Sequence, residues 1–410
     1  MLSQYGPTAG IDVHKKWLYV VIGFENLPED QFQRMRVGST SRELEQLGEQ
    51  LQTAGVQTVV MESTANYWKP VWAALEGKFR LLLAQARSNA APHGRKTDFG
   101  DATRLVKRLW AGDLRLSFVP EEEQRGWRML TRTRVEYTRD IAQTRNRLEA
   151  LLEECRIKIA GLLSDLVGAS GRRMMRALAA GQTDARQIAA LGDKRLQATP
   201  AELEEALKGH LTVVHRLMLT QHLDRIEALE DDLAGLDKAL VEAQRAHQDT
   251  VRRLCAIPGV AVTAAQVILA ELGPTAASFP TAANAASWVG VCPGRKETGG
   301  VSYSDACAKG NRHMRRILNQ CAWAAVRAKQ SFFQHLFQQL IPRMGVEKAI
   351  WTIAHRLLRI IWIVLHKGVE YEERGPKGQQ AEYLKRRLER TARALRRCGI
   401  DVQITIPAGA

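Results

Sequence analysis

The sequence predicts an α/β domain at the N-terminus followed by a mostly α-helical remainder. Three observations carry this expectation. Strand and helix patterns alternate over residues 1–118, two long charged helical patterns follow, and the segment after residue 255 is helical apart from one glycine-rich loop.

In the first region, Ala9 to Val13 and Trp17 to Phe24 are β-rich runs separated by the polar His14-Lys15-Lys16, which predicts a hairpin. Phe32 to Val37 adds a third strand. Thr40-x-x-Glu43 forms a capping box that opens an amphipathic helix running to about Ala54. A short apolar strand at Thr58 to Met61, a helix at Trp68 to Lys78, a strand at Arg80 to Ala84 and a helix at Asp98 to Trp110 complete the order β-β-β-α-β-α-β-α. That order implies a mixed sheet flanked by helices.

Residues 119–250 read as a helical arm. One long helix is expected over Glu121 to Leu163 and a second over Leu211 to Leu254, with a shorter helical stretch at Arg172 to Leu207 between them. Their apolar spacing fits a long antiparallel coiled coil, and a plain helical bundle is the alternative. Residues 251–370 form a third, mostly helical region. Residues 371–410 are a tail with a basic helix at Gln379 to Arg397, suited to phosphates or to a solvated face.

Fifty-nine Lys and Arg against 44 Asp and Glu give a formal net charge of +15. Such an excess favours a polyanionic partner, because neutralising phosphates releases condensed counterions. Met1 to Gly10 has no basic start followed by an apolar run, so no signal peptide is expected. The most apolar stretch, Ala349 to Leu365, is interrupted by His355, Arg356 and Arg359, which suits a buried helix and not a bilayer span. The six cysteines form no C-x-x-C pair, so reduced thiols are expected.

The candidate chemistry begins with acidic residues in unfavourable places. Asp12 lies inside the apolar Gly10-Ile11-Asp12-Val13, and Glu62 ends the strand Thr58 to Met61. Burying a carboxylate without compensation is costly, and a metal ion is one compensation. Asp98 and Asp101 stand three apart at a helix start and share a face. Each has a cheaper explanation alone: a hydrogen-bonded turn for Asp12, helix-terminal electrostatics for the pair. Four carboxylates in one α/β domain of a basic protein suit two Mg²⁺ ions, which prefer oxygen ligands and promote phosphoryl transfer. This is a ribonuclease-H-like, RuvC-like arrangement.

Further along, Ile257-Pro258-Gly259-Val260 ahead of an apolar helix looks like half a helix-hairpin-helix, whose turn could bind phosphate; an ordinary tight turn is equally consistent. The loop from Cys292 to Arg312 carries hydroxyls at Thr298, Ser302 and Ser304 and cations at Arg295, Lys296, Lys309 and Arg312. Such a loop suits phosphate contact or a nucleophile, and spacing alone does not choose.

Taken together, these segments resemble the DEDD transposases of bacterial insertion sequences, the one-ten family, whose relatives include Piv-type DNA invertases and bridge-RNA-guided recombinases. The matching elements are Gly-Ile-Asp12-Val, Glu62-Ser-Thr-Ala, Lys96-Thr-Asp98-x-x-Asp101-Ala, Ile-Pro-Gly-Val, the Cys292-Pro-Gly loop, Lys309-Gly-Asn311-Arg312 with Met314-Arg315-Arg316, and Ala349-Ile-Trp-x-Ile-Ala-His355. They run in order from about residue 8 to residue 370.

The resemblance implies Mg²⁺ at Asp12, Glu62, Asp98 and Asp101, with a hydroxyl from the C-terminal domain of another protomer attacking DNA. It adds Lys96, Asn311, Arg315 and Arg316 to the nucleic-acid-binding set. In relatives the nucleophile is a serine; here the matching residue is Thr298, which is β-branched and rotamerically stiffer. Ser302 and Ser304 are alternatives. The resemblance also implies a homo-oligomer (dimer or tetramer), a noncoding guide RNA, DNA ends and target as partners, and cytoplasmic action at the bacterial nucleoid. Competing expectations are a Holliday-junction-type nuclease that never bonds to DNA and a catalytically impaired nucleic-acid-binding derivative.

Overall fold

The computed structural model describes residues 5–62, 65–89, 97–292, 296–298, 301–304, 307 and 309–373, with residues 87, 296–298 and 301–304 described through their backbone alone. The chain divides into two compact units, the first ending at Pro120 and the second starting at Glu121.

The first unit is built on a six-stranded mixed sheet. β1 (Thr8–Val13), β2 (Trp17–Gly23) and β3 (Gln33–Gly38) form an antiparallel meander. β4 (Thr58–Glu62) and β5 (Arg80–Ala84) run parallel to β1, and the two-residue β6 (Leu116–Ser117) closes the edge antiparallel to β5. The spatial order is β3-β2-β1-β4-β5-β6. The short edge strand β6 carries too little pattern to be legible in sequence.

Alternation along the strands sorts their side chains onto two faces. Ile11, Leu18, Val59 and Met61 pack with Leu44, Leu47 and Leu51 of α1 (Ser41–Thr53) and with Val71 and Leu75 of α2 (Trp68–Leu75). The capping box at the start of α1 is formed, with the Thr40 amide donating to Glu43 Oε2 at 3.0 Å. α2 is one turn shorter than expected and ends before Gly77, whose φ of +79° breaks the helical backbone.

The opposite face is covered by α3 (Asp98–Trp110), which buries Ala102, Leu105 and Leu109 against Val21, Val60 and Ala84. Gly10 makes this approach possible: a side chain there would run into the carbonyl oxygen of Ala102 and lie 2.8 Å from a Val106 methyl.

Among its described residues, the second unit is helical apart from one antiparallel strand pair. α4 (Glu122–Glu154) and α8 (Val213–Ala243) lie antiparallel, since Trp127 donates to the Ala243 carbonyl, Arg134 pairs with Asp237, and Glu154 meets His215. At one end of this pair, α5 (Ala169–Ala179), α6 (Ala185–Ala189) and α7 (Pro200–Ala206) form a core with Leu148, Leu152, Leu219 and Leu223.

Both long helices stop short of their expected ends. After α4, Arg156 takes a φ of +61° and the chain turns to bury Ile157 and Ile159. After α8, Gln244 is fully buried and donates to the Gln266 carbonyl at 3.1 Å, so α9 (Gln248–Cys255) is a separate helix.

The remainder comprises α10 (Val262–Leu272), α11 (Ala282–Val289), α12 (Arg312–Arg327) and α13 (Phe332–Lys367). α13 is kinked at Gly345 and buries Ile353, Leu357, Leu358, Ile361 and Val364. It is long and apolar enough to span a bilayer by composition, but half of its most apolar window is buried within the fold. The glycine-rich loop contains an unexpected antiparallel pair, β7 (Lys296–Thr298) and β8 (Val301–Ser304). Among the described residues, Cys155, Cys255, Cys292, Cys307 and Cys321 are free thiols. The expected basic helix at 379–397 lies outside the described residues.

Candidate active site

Register and the start of α3 set the acidic residues of the first unit near one another, but only Asp12 and Asp98, with His14, come within ligand distance; Glu62 and Asp101 lie outside that group, bonded to Asn89 and Arg104. β1 and β4 are parallel with Ile11 opposite Met61, so Asp12 and Glu62 follow as the next residues on neighbouring strands. Both fall on the α3 face, because Ile11 and Met61 are committed to the other. Thr97 caps α3, its hydroxyl accepting from the Gly100 amide at 3.1 Å, and this sets Asp98 and Asp101 in the first turn.

His14 follows Asp12 by two residues and joins the same cluster. Its Nε2 lies 3.2 Å from Asp12 Oδ2 and 3.4 Å from Asp98 Oδ1. One ligand atom from each of Asp12, His14 and Asp98 falls within 4.8 Å of the others. Asp12 and Asp101 are buried, whereas the Asp98 side chain is about 41% exposed, which leaves the cluster open to a ligand on that side.

Burial pushes the Asp12 carboxyl above its usual range; His14 opposes the shift, while the like charges of Asp101 and Glu62 add to it. Arg104 Nη1 donates to Asp101 Oδ1 at 2.6 Å and to the Asn89 carbonyl at 3.2 Å. Asn89 Nδ2 donates to Glu62 Oε2 at 3.0 Å. The donors within reach of one another are two carboxylates, Asp12 and Asp98, and the His14 imidazole, a set that fits a divalent cation whose charge would relieve the repulsion between the carboxylates.

His14, Asn89 and Arg104 were not among the expected site residues. The alternation Asp12-Val13-His14 could have revealed the first; nothing local marks the other two. Lys96 and Arg295 lie outside the described residues.

In the second unit the hydroxyl candidates share one hairpin. Thr298 ends β7 and pairs with Val301, Glu297 pairs with Ser302, and Lys296 pairs with Ser304 across a bulge. Lys309 is exposed at the loop's far end, Arg312 is exposed as the first residue of α12, and Arg316 is exposed one turn into that helix.

Asn311 caps α12 through Oδ1, accepting from the amides of His313 and Met314, while its Nδ2 donates to Glu271 Oε2 at 2.8 Å. Arg315 donates to the Gly290 carbonyl and lies over the Trp351 ring at 4.5 Å. Gly259 has a φ of +84° and presses on α12, where a side chain would meet the Cys321 carbonyl and the Ala325 amide. Close helix packing therefore accounts for that glycine.

The fold and site define a class: an α/β domain of the ribonuclease-H-like kind with a clustered acidic site, followed on the same chain by a helical region. Residues 9–157 match a family model for the DEDD transposase of IS110, described as a transposase. Residues 251–338 match the transposase model of the IS116/IS110/IS902 family. The chain belongs to the IS110 family of transposases.

Two relatives are in keeping with this. The chain is 24% identical over 288 residues to the transposase for insertion sequence element IS1328 of Yersinia enterocolitica, covering 68% of this chain and 74% of that protein. It is 30% identical over 126 residues to an insertion element IS110 uncharacterized 43.6 kDa protein of Streptomyces coelicolor, covering 30% of this chain and 31% of the relative.

Proposed function

We propose that this protein cuts and rejoins DNA at the ends and target of an insertion sequence, with divalent metal held at Asp12, Glu62, Asp98 and Asp101. The observation that carries the reading is the alignment of Asp12 with Glu62 beneath the first turn of α3, with Asp12, His14 and Asp98 already within ligand distance of one another. Mg²⁺ bound there would offset the negative charge that builds on a phosphate under attack.

The chain's own residues do the remainder. Asp12 and Asp101, buried and fixed, supply preset oxygens; Asp98, more exposed, faces the entering ligand. The Thr298 hydroxyl is the nucleophile of choice, with Ser302 and Ser304 as alternatives on the same hairpin. Its oxygen forms a bond to phosphorus as the bond to one sugar oxygen breaks, and the proton ends on the departing sugar hydroxyl. Attack by a second sugar hydroxyl reverses the step and rejoins the strands. Lys309, Arg312 and Arg316, with Lys96, Arg295 and Lys296, grip phosphates, helped by the net charge of +15. The paired α4 and α8 serve as a coiled-coil arm for assembly of a homo-oligomer. A noncoding guide RNA and action at the nucleoid follow from family likeness.

The test is a plasmid excision or circularisation assay that includes the native flanking DNA and Mg²⁺. Wild type should yield a joined junction, while Asp12→Ala and Thr298→Ala should not. Thr298→Ser should retain a trapped protein–DNA adduct. Cleavage without any adduct in the wild type would identify a junction nuclease instead, and no cleavage at all would point to a binding derivative.

A further inference from the structure

We infer that Asn89 is a positioning residue for the acidic cluster, turning Glu62 towards it at the expense of its own oxygen, which has no partner among the described residues. This rests on the reading that the carboxylates bind a divalent cation. Asn89 ends the 3-10 turn at Ala86–Asn89 and is only 2% exposed. Its amide nitrogen faces two acceptors, Glu62 Oε2 at 3.0 Å and the Asp101 carbonyl at 3.4 Å. Because both neighbours only accept, the NH₂ group must point towards them and the Oδ1 atom away. That oxygen is buried and has no hydrogen-bond partner among the described residues.

Buried polar atoms are almost always paired, so an orphan retained in a packed interior needs a reason. Folding alone supplies none: an apolar side chain at position 89 would remove both the orphan and the desolvated amide. The reason available on the structure is the bond to Glu62. Glu62 stands at the open end of β4, with a flexible side chain among like charges that repel it. An amide donor from a rigid turn selects one rotamer without adding charge.

The turn itself is pinned to α3. Arg104 Nη1 reaches the Asn89 carbonyl and the Asp101 carboxylate together, and Arg108 donates to the Ser88 carbonyl. The support runs from α3 through Arg104 and Asn89 to Glu62, linking carboxylates from a helix and from a strand. Outer contacts of this kind orient ligands, and losing one typically weakens metal binding about 10–100-fold.

Mn²⁺ titration of the full-length protein, followed by electron paramagnetic resonance of the free ion, separates the possibilities when read beside thermal melting. Wild type should bind Mn²⁺ and Asp12→Ala should not. Asn89→Ala, and the near-isosteric Asn89→Leu should alanine fail to fold, should bind Mn²⁺ about tenfold more weakly or worse. The metal-free variant should melt no lower than the wild type. Wild-type Mn²⁺ affinity in the Asn89 variants would overturn the inference while leaving the metal site intact. A loss of melting temperature that accounts for the weakened binding would reduce Asn89 to a packing role. Absence of Asp12-dependent binding in the wild type would overturn both the inference and the reading on which it rests.

Discussion

Glu271 and Arg132 form a two-pronged ion pair around a carboxylate with no solvent exposure: Arg132 Nε and Nη2 donate to Glu271 Oε1 and Oε2 at 3.0 and 3.1 Å. Arg128 closes a third side, and Asn311, the cap of α12, a fourth. One buried side chain of α10 thus joins α4 to the start of α12, directly after the loop that carries Thr298.

Removing that charge should be expensive. Glu271→Gln keeps the shape but leaves two arginines without their counter-ion, a loss of about 3–5 kcal/mol when one partner of a buried pair is deleted. Burial pushes the Glu271 carboxyl up, but the bonds and charges of Arg132, Arg128 and Asn311 outweigh it and hold the group below the usual carboxylate range. Its stabilising effect is therefore complete above that range and is lost as pH falls through the depressed value. Urea unfolding of wild type and Glu271→Gln at neutral and acid pH checks both points. Equal midpoints at neutral pH would contradict the first.

His313 should add a second acid-sensitive contribution. Burial first, and then the charges of Arg132, Arg312 and Arg316, push its imidazole down to about 4. The folded protein keeps it neutral where the unfolded chain takes up a proton. Stability should therefore fall as pH drops from the ordinary imidazole range towards about 4. In His313→Gln that slope should be shallower. Thermal melts across this interval measure it, and identical slopes would show that the imidazole is not the cause.

Asp12→Asn should raise the melting temperature of the metal-free protein while abolishing the proposed DNA cleavage. Burial and two neighbouring carboxylates make a charged Asp12 unfavourable in the fold, and asparagine removes the charge at constant shape. A gain of roughly 2–8 °C is what about 1 kcal/mol yields in domains of about 60–250 residues, a range that brackets the first unit. Calorimetry in a chelating buffer decides the matter; an unchanged or lower transition would mean that His14 already neutralises the cost.

Gly259→Ala should destabilise the second unit by roughly 2–4 kcal/mol, combining left-handed strain with forced separation of α12. The added methyl would sit 2.5 Å from the Ala325 amide nitrogen, and backbone cannot swing aside as a side chain can. Chemical denaturation measures the loss. A stability equal to the wild type would refute the packing account of this glycine.

The first unit was the most legible part of the sequence because its signals are local. The β-rich run at Ala9 to Val13, the short apolar run at Thr58 to Met61 and the Thr40–Glu43 box each specify an element within a few residues. The oddity of Asp12 and Glu62 within apolar strands was likewise visible. What brings them together, the Ile11–Met61 register and the bare Cα of Gly10 beneath α3, depends on pairings about 50–90 residues apart along the chain.

Asn89 and Arg104 were illegible for the same reason, since an Asn in a turn and an Arg on a helix are ordinary until their partners are known. The long helices were visible but their ends were not. The break at Gln244 is fixed by its bond to the Gln266 carbonyl, and the turn at Arg156 by the burial of Ile157. Tertiary contacts overrode an otherwise continuous helical pattern at both places.

At 1.5 Å per residue, the 33 residues of α4 make a rod of about 50 Å. Near its start, Arg128 and Arg132 clamp it to Glu271; near its far end, Leu148 and Leu152 are built into the small core formed with α5–α7. A rod held at both ends is a strut, and it ties the small core of α5–α7 to the Glu271 joint. The joint also holds Asn311, so the strut ends at the cap of α12.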